Sequence, residues 1–173
     1  MEKAEWEQIA LDKLAHSGAE GAEAVAFIKA RRIKVGFAKP FSSAGAIWFI
    51  DGNMYLNKAT YSYNTSPEDP FMLSLIAHEA WHLRQGFFTA LSVYGELDAW
   101  QLGFRVFQEL GSSIRHPALK ELMSLPLCYD RVMLSKVRGL MQAYAGKGYR
   151  IDLLPLFPLG KELNYRLFKK PPV

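Results

Sequence analysis

Two histidines four residues apart, with a glutamate directly after the first, stand in His78-Glu79-Ala80-Trp81-His82. Residues four apart share a face only on a helix, so the chemistry of this spacing depends on a helix being there. On a wheel turning about 100° per residue, with His78 at the origin, His82 falls at about 40° and Glu79 at about 100°. Both imidazoles then reach one ion. Glu79 stands too far aside to be a third ligand, yet near enough to hydrogen-bond a water on the metal and accept its proton. Met72, Leu73, Ile76, Ala80 and Leu83 fall on the opposite side, so the helix is expected to pack by its back and offer its front. The competing reading is a pair of histidines satisfied by hydrogen bonds inside a helix interface.

A catalytic zinc usually takes three protein ligands, so a further His, Asp or Glu is needed. Glu96 is the choice, because on a helix Val93, Trp100, Gly103, Phe104, Phe107 and Leu110 cluster around it. A carboxylate in an apolar stripe is costly to bury without a positive partner. Asp98 groups instead with Gln101, Arg105, Gln108 and Glu109 and reads as solvated. The alternative for Glu96 is an ion pair with Arg131 or Arg138. His16 and His116 read as capping or surface histidines, and Tyr94, Tyr129 and His116 are unranked candidates for steadying a developing oxyanion.

The stretch Leu75-Ile76-Ala77-His78-Glu79-Ala80-Trp81-His82, followed by Glu96-Leu97-Asp98-Ala99, resembles the gluzincin zinc peptidases, nearest to their small minigluzincin and ImmA/IrrE-like forms. The resemblance covers about residues 46 to 110. It implies an α+β zincin-like fold, with a small antiparallel or mixed sheet on the active-site helix. It also implies Zn2+ held by His78, His82 and Glu96, and peptide or protein substrates hydrolysed with Glu79 as general base. The strand Asn53-Met54-Tyr55-Leu56-Asn57 is similar to the one such enzymes place above the cleft, where an extended substrate pairs. At Trp100, four beyond the third ligand, several relatives carry an acid that orients a ligand histidine. A zinc-bound but catalytically silent regulatory or peptide-binding module is the alternative function.

The positioning elements follow from periodicity and punctuation. Two helices are expected before Arg32, a strand over Ile33–Phe37, and a loop at Pro40, Ser42, Ser43 and Gly45. Ala46–Ile50 and Met54–Leu56 flank the hairpin signal Asp51-Gly52-Asn53. The motif helix runs from near Asp69, behind a capping side chain and proline, to Gln85, and Gly86 stops it. A helix follows over Ser92–Leu110. Residues 116–144 read as two helical pieces broken at Pro126, and the stretch from Gly146 as irregular with one short helix. The apolar segment Leu153–Leu159 reads as a cover over the core or as a latch folded back across the cleft.

The 173 residues fit one domain, with a core over about 33–110 and helical flanks at 1–32 and 111–173. Hydrophobic residues make up 50% and charged ones 22%, which excludes a disordered chain. The net charge of +4 is carried by scattered residues and short runs such as Arg31-Arg32 and Lys169-Lys170, so no nucleic-acid partner is expected. Cys128 is alone, which excludes an intrachain disulfide or a cysteine metal cluster and reads as a buried thiol. With no secretory pattern at the N-terminus and no long apolar run, a cytoplasmic protein without a membrane partner is expected.

Overall fold

The computed structural model describes residues 2–39, 45–48 and 51–169. Helices α1 (Lys3–Ala15) and α2 (Ala19–Arg31) pack together at the start of the chain. Trp6 is buried and donates its indole N–H to the Thr65 carbonyl at 2.9 Å, which ties α1 to the loop ahead of the motif helix. Three strands follow, β1 (Val35–Ala38), β2 (Ala46–Trp48) and β3 (Met54–Asn57), in the order β1-β3-β2. β1 runs parallel to β3, with Val35 opposite Met54, and β2 runs antiparallel to it, with Ala46 opposite Leu56. The sheet is therefore mixed, and the expected hairpin is formed around Gly52, whose φ of 77° suits glycine. Residues 40–44 of the expected loop, and 49–50 of the expected second strand, lie outside the described residues.

The central place of β3 corrects one expectation. Both of its edges are used by β1 and β2, so it has none left for a substrate. Among the described residues, the strand with an open outer edge beside the motif helix is β2.

The motif helix α3 spans Pro70–Gln85. Asp69 caps it by accepting from Met72 N at 2.8 Å, proline occupies its first turn, and Gly86 ends it at a φ of 77°. Its back buries Met72, Leu73 and Ile76 against the sheet, α1 and α2. At about 1.5–3 kcal/mol per fully buried side chain, these three residues seat the helix far more firmly than its cap does. The short helix α4 (Phe87–Ala90), which the sequence reading missed, turns the chain into α5 (Val93–Glu109). There Ser92 is the cap, accepting from Gly95 N at 3.0 Å.

Beyond α5 come α6 (Pro117–Ser124), α7 (Arg131–Ala145), two single 3-10 turns (Lys147–Tyr149 and Ile151–Leu153) and α8 (Leu159–Phe168). These elements build a second core from Leu119, Leu122, Leu134, Val137 and Phe157. Helix α5 serves both cores, with Leu102 and Val106 in the first and Val93, Leu97, Trp100 and Phe104 in the second. The segment 153–159 is a cover over this second core. Pro155 and Leu156 carbonyls accept from Val93 N and Tyr94 N, and Phe157 is buried. Cys128 is half-buried rather than buried, because it sits on the connection between α6 and α7.

Candidate metal centre

The seam between α3 and α5 is where the motif side chains meet, and its closeness depends on Gly103. A Cβ there would stand 3.1 Å from the Ser74 carbonyl oxygen and 3.3 Å from His78 Cβ. Only a residue without a side chain lets α5 lie this near the histidine face. At the start of α5, a Cβ on Gly95 would run into the Thr89 carbonyl. Glycine is thus required beside Glu96 as well.

His78 Nε2 and His82 Nε2 lie 2.9 Å apart, with their rings nearly perpendicular. Glu96 reaches across from α5, its Oε1 at 3.4 Å from His82 Nε2 and its Oε2 at 3.8 Å from His78 Nε2. Ligand atoms about 2.0–2.1 Å from a tetrahedral zinc stand roughly 3.3 Å from one another, so the three distances bracket the edge of such a site. His78, His82 and Glu96 form a group that can hold a metal ion, with one donor atom from each within 4.8 Å of the others. The ring orientations agree with this use. Gln85 Oε1 lies 3.1 Å from His82 Nδ1, and because the Gln85 amide nitrogen already donates to Asp98 Oδ2 (2.8 Å) and Gly95 O (3.0 Å), its oxygen must accept from Nδ1–H. The Ala99 backbone also acts on the His78 ring, favouring its charged form. Both Nε2 atoms face one point together with the Glu96 carboxylate.

Electrostatics also call for a cation at that point. Burial opposes a charge on His82, but the Glu96 carboxylate outweighs it by charge and hydrogen bonding, and raises His82 to about 9. Burial and the His82 charge push His78 down to about 3. Glu96, despite its burial, is held down to about 2 by His82. The metal-free site thus keeps a proton on His82, between His78 and Glu96, where an ion would sit. Burial lifts Glu79 to about 8, with the His82 charge opposing and the Glu96 charge assisting.

Two sequence expectations are corrected here. Asp98 is not solvated: it accepts from Trp81 Nε1 at 2.6 Å and from Gln85 Nε2, and through Gln85 it braces His82. Its neighbour on the wheel, Gln101, is buried and donates to the Leu122 and Leu125 carbonyls. The front of α3 is offered only in part: α5 packs directly against it and leaves Glu79 and His82 only 5% and 2% exposed, although both still line a cleft. The arginine alternative for Glu96 is not realised. Arg131 lies 3.9 Å from Glu162, and Arg138 donates to the Leu154 carbonyl.

Trp100 does not orient a histidine. Its indole donates to the Tyr149 hydroxyl at 2.8 Å, and that hydroxyl donates to Glu96 Oε2 at 2.5 Å. Burial and the Glu96 charge hold the Tyr149 phenol well above its ordinary range, so it remains a donor. Tyr149 was missed because it lies in an irregular stretch with no periodicity to mark it. Gln85, three residues past His82, was within reach of the wheel. Tyr94 and Tyr129 stack on each other at 4.4 Å, His116 caps α6 by accepting from Ala118 N, and none of the three lines the site. His16 caps α1 on the Asp12 carbonyl.

The four motif residues open onto a cleft of about 740 Å³, walled by β2, by Phe104 of α5 and by Tyr149 to Leu154. Among the described residues no hydrogen bond reaches the Glu79 carboxylate, which lines this cleft. No protein-family model matches the chain, and no curated protein or solved structure matches it.

Proposed function

We propose that the chain is a zinc-dependent peptidase of the gluzincin kind, with His78, His82 and Glu96 as ligands and Glu79 as general base. The observation that carries this reading is the placement of Glu79: a buried carboxylate with no hydrogen-bond partner among the described residues, beside a converging His-His-Glu set and lining a cleft. A structural glutamate at such a depth would be expected to have a donor.

Zinc, when bound, supplies Lewis acidity, which polarises a carbonyl and brings the pKa of a water toward neutrality. The Glu79 carboxylate takes a proton from the attacking water and passes it to the departing amine, so one water is consumed per bond cleaved. In the metal-free site its pKa is raised to about 8, and an adjacent dication lowers that toward the range useful to a base. Tyr149 and Gln85 hold Glu96 and His82 in place for this task. An extended peptide lies along the outer edge of β2, with its side chains against the apolar wall formed by Leu75, Phe104 and Leu154. A cytoplasmic setting belongs to the same reading.

The test is cleavage of a peptide library, followed by mass spectrometry, for the zinc-loaded protein and its Glu79→Gln variant. The expected result is zinc-dependent cleavage that falls by roughly 10²-fold or more in the variant while metal content stays at one equivalent. Cleavage within a few-fold of wild type would remove Glu79 from its role. A zinc-loaded wild type that binds peptides without cutting them would instead be a peptide-binding module.

A further inference from the structure

Exposed large apolar side chains are concentrated rather than scattered. Of the ten among the described residues, eight lie in 87–91 and 153–168, at one end of the molecule where α4 packs against α8. Leu159, Leu163 and Leu167 of α8 recur every fourth residue and so form one stripe, and they are 40%, 50% and 72% exposed. Phe168, Leu153 and Phe88, in the same or adjoining elements, are each more than 60% exposed. The inner side of the same helix is the polar one: Glu162 is 4% exposed and bonded to Arg166, while Tyr165 packs on Phe157. A surface helix of a monomer has the reverse arrangement.

The charge distribution singles out the same segment. Residues 146–173 hold six of the 21 basic residues and two of the 17 acidic ones, so they carry the whole net charge of +4 while the rest of the chain is neutral. One of those two acids, Glu162, is turned inward between Arg131 and Arg166. What faces outward is an apolar stripe on a basic segment, with Asp152 as the exposed acid.

We propose that α8 and the adjoining α4 form a docking surface for an anionic lipid bilayer, into whose headgroup layer the leucines and phenylalanines insert while Arg166 and Lys169 meet the lipid charge. A second copy of the chain is a poorer occupant, because it would bring two segments of net +4 against each other. A nucleic acid would leave the leucine stripe without a use. No described helix is long and apolar enough to cross a membrane, so the contact is peripheral. This departs from the sequence expectation of no membrane partner, in which the basic residues looked scattered. Leu153 and Leu91 also wall the cleft, so docking sets the cleft mouth beside the lipid. On the peptidase reading, its substrates are chain segments emerging at that surface. The docking itself does not depend on that reading.

The experiment is flotation of the full chain with vesicles of phosphatidylcholine alone and with about one third phosphatidylglycerol, at low and high salt, alongside analytical ultracentrifugation. Wild type is expected to float with the anionic vesicles and not with the neutral ones, with at least a several-fold loss at high salt. Leu163→Glu/Leu167→Glu and Phe88→Glu should each abolish flotation while circular dichroism and zinc content stay unchanged. Lys169→Glu should weaken flotation without affecting either. Absence of flotation with anionic vesicles, equal flotation with neutral ones, or full retention in the folded leucine variant overturns the proposal. So does a wild-type dimer that the leucine variant converts to monomer, which would make a second copy the occupant.

Discussion

The Tyr149 hydroxyl donates to Glu96 Oε2 at 2.5 Å, joining a turn in the second half of the chain to the side chain on α5 that completes the His-His-Glu set. The hydroxyl is itself positioned by the Trp100 indole, so two residues outside the His-His-Glu set decide where its carboxylate points. Removing the donor leaves Glu96 free to rotate. Tyr149→Phe is therefore expected to weaken zinc binding by about 10–100-fold, the usual effect of losing such a support, while the ring keeps its packing against Trp100. Competition with a chelating dye measures it; unchanged affinity would show that Glu96 is held by its backbone alone.

On the other side of the site the support runs from Asp98 through Gln85 to His82. Gln85→Ala and Asp98→Ala should each lower zinc affinity, by less than the loss of a ligand in His82→Ala, since the imidazole remains but can turn. Asp98→Ala has a second consequence. It leaves the Trp81 indole N–H and the Gln85 amide without an acceptor in a partly buried place, at a cost of about 1–3 kcal/mol of stability. Chemical denaturation of the metal-free variants separates the two effects: Asp98→Ala should be destabilised and Gln85→Ala much less so.

The difference between these residues and the ligands explains what could be read in the sequence. His78, Glu79, His82 and Glu96 lie on two helices, where periodicity fixes which side chains share a face, and the structure brings the three expected ligands together. The starts of the two helices near Asp69 and Ser92 were legible for the same local reason. Asp98 was misjudged because a wheel shows the face of a helix and not the Trp81 and Gln85 that face it from α3. Strand order was out of reach as well: the parallel pairing of β1 with β3 is made between distant segments, and the hairpin signal at Gly52 fixes only one neighbour of β3.

The buried titrating groups give the metal-free protein a definite pH dependence. His82 is raised from 6.5 to about 9, so the folded state binds a proton that the unfolded state releases, and the stability this contributes is complete below about 6.5 and lost as pH rises through 9. Glu79, raised from 4.5 to about 8, acts in the same direction between those values. His78, depressed from 6.5 to about 3, acts oppositely but only below 6.5. The metal-free Tm is accordingly expected to fall between pH 6.5 and 9. Zinc replaces the proton on His82, so its binding strengthens over the same interval, and the gap between zinc-loaded and metal-free Tm should widen. Thermal scans in chelator and in excess zinc check this; a gap that narrows with rising pH would mean that no proton is displaced at the site.

Gly103 offers a test of whether the α3–α5 approach itself sets the ligand geometry. Alanine in the middle of a helix gains about 0.5–1 kcal/mol over glycine. Against that, the new Cβ meets the Ser74 carbonyl oxygen at 3.1 Å and His78 Cβ at 3.3 Å, so the helices must part by a few tenths of an ångström at a cost of similar size. The two nearly cancel, and Gly103→Ala is expected to change stability little in the absence of metal. Zinc affinity has no such compensation. The displacement falls beside His78, and Glu96, two turns earlier on α5, moves with its helix away from both imidazoles. A fall in zinc affinity with an unchanged metal-free denaturation midpoint would tie the site to the spacing of the two helices. If affinity is retained, α3 and α5 adjust around the metal, and Gly103 matters for packing alone.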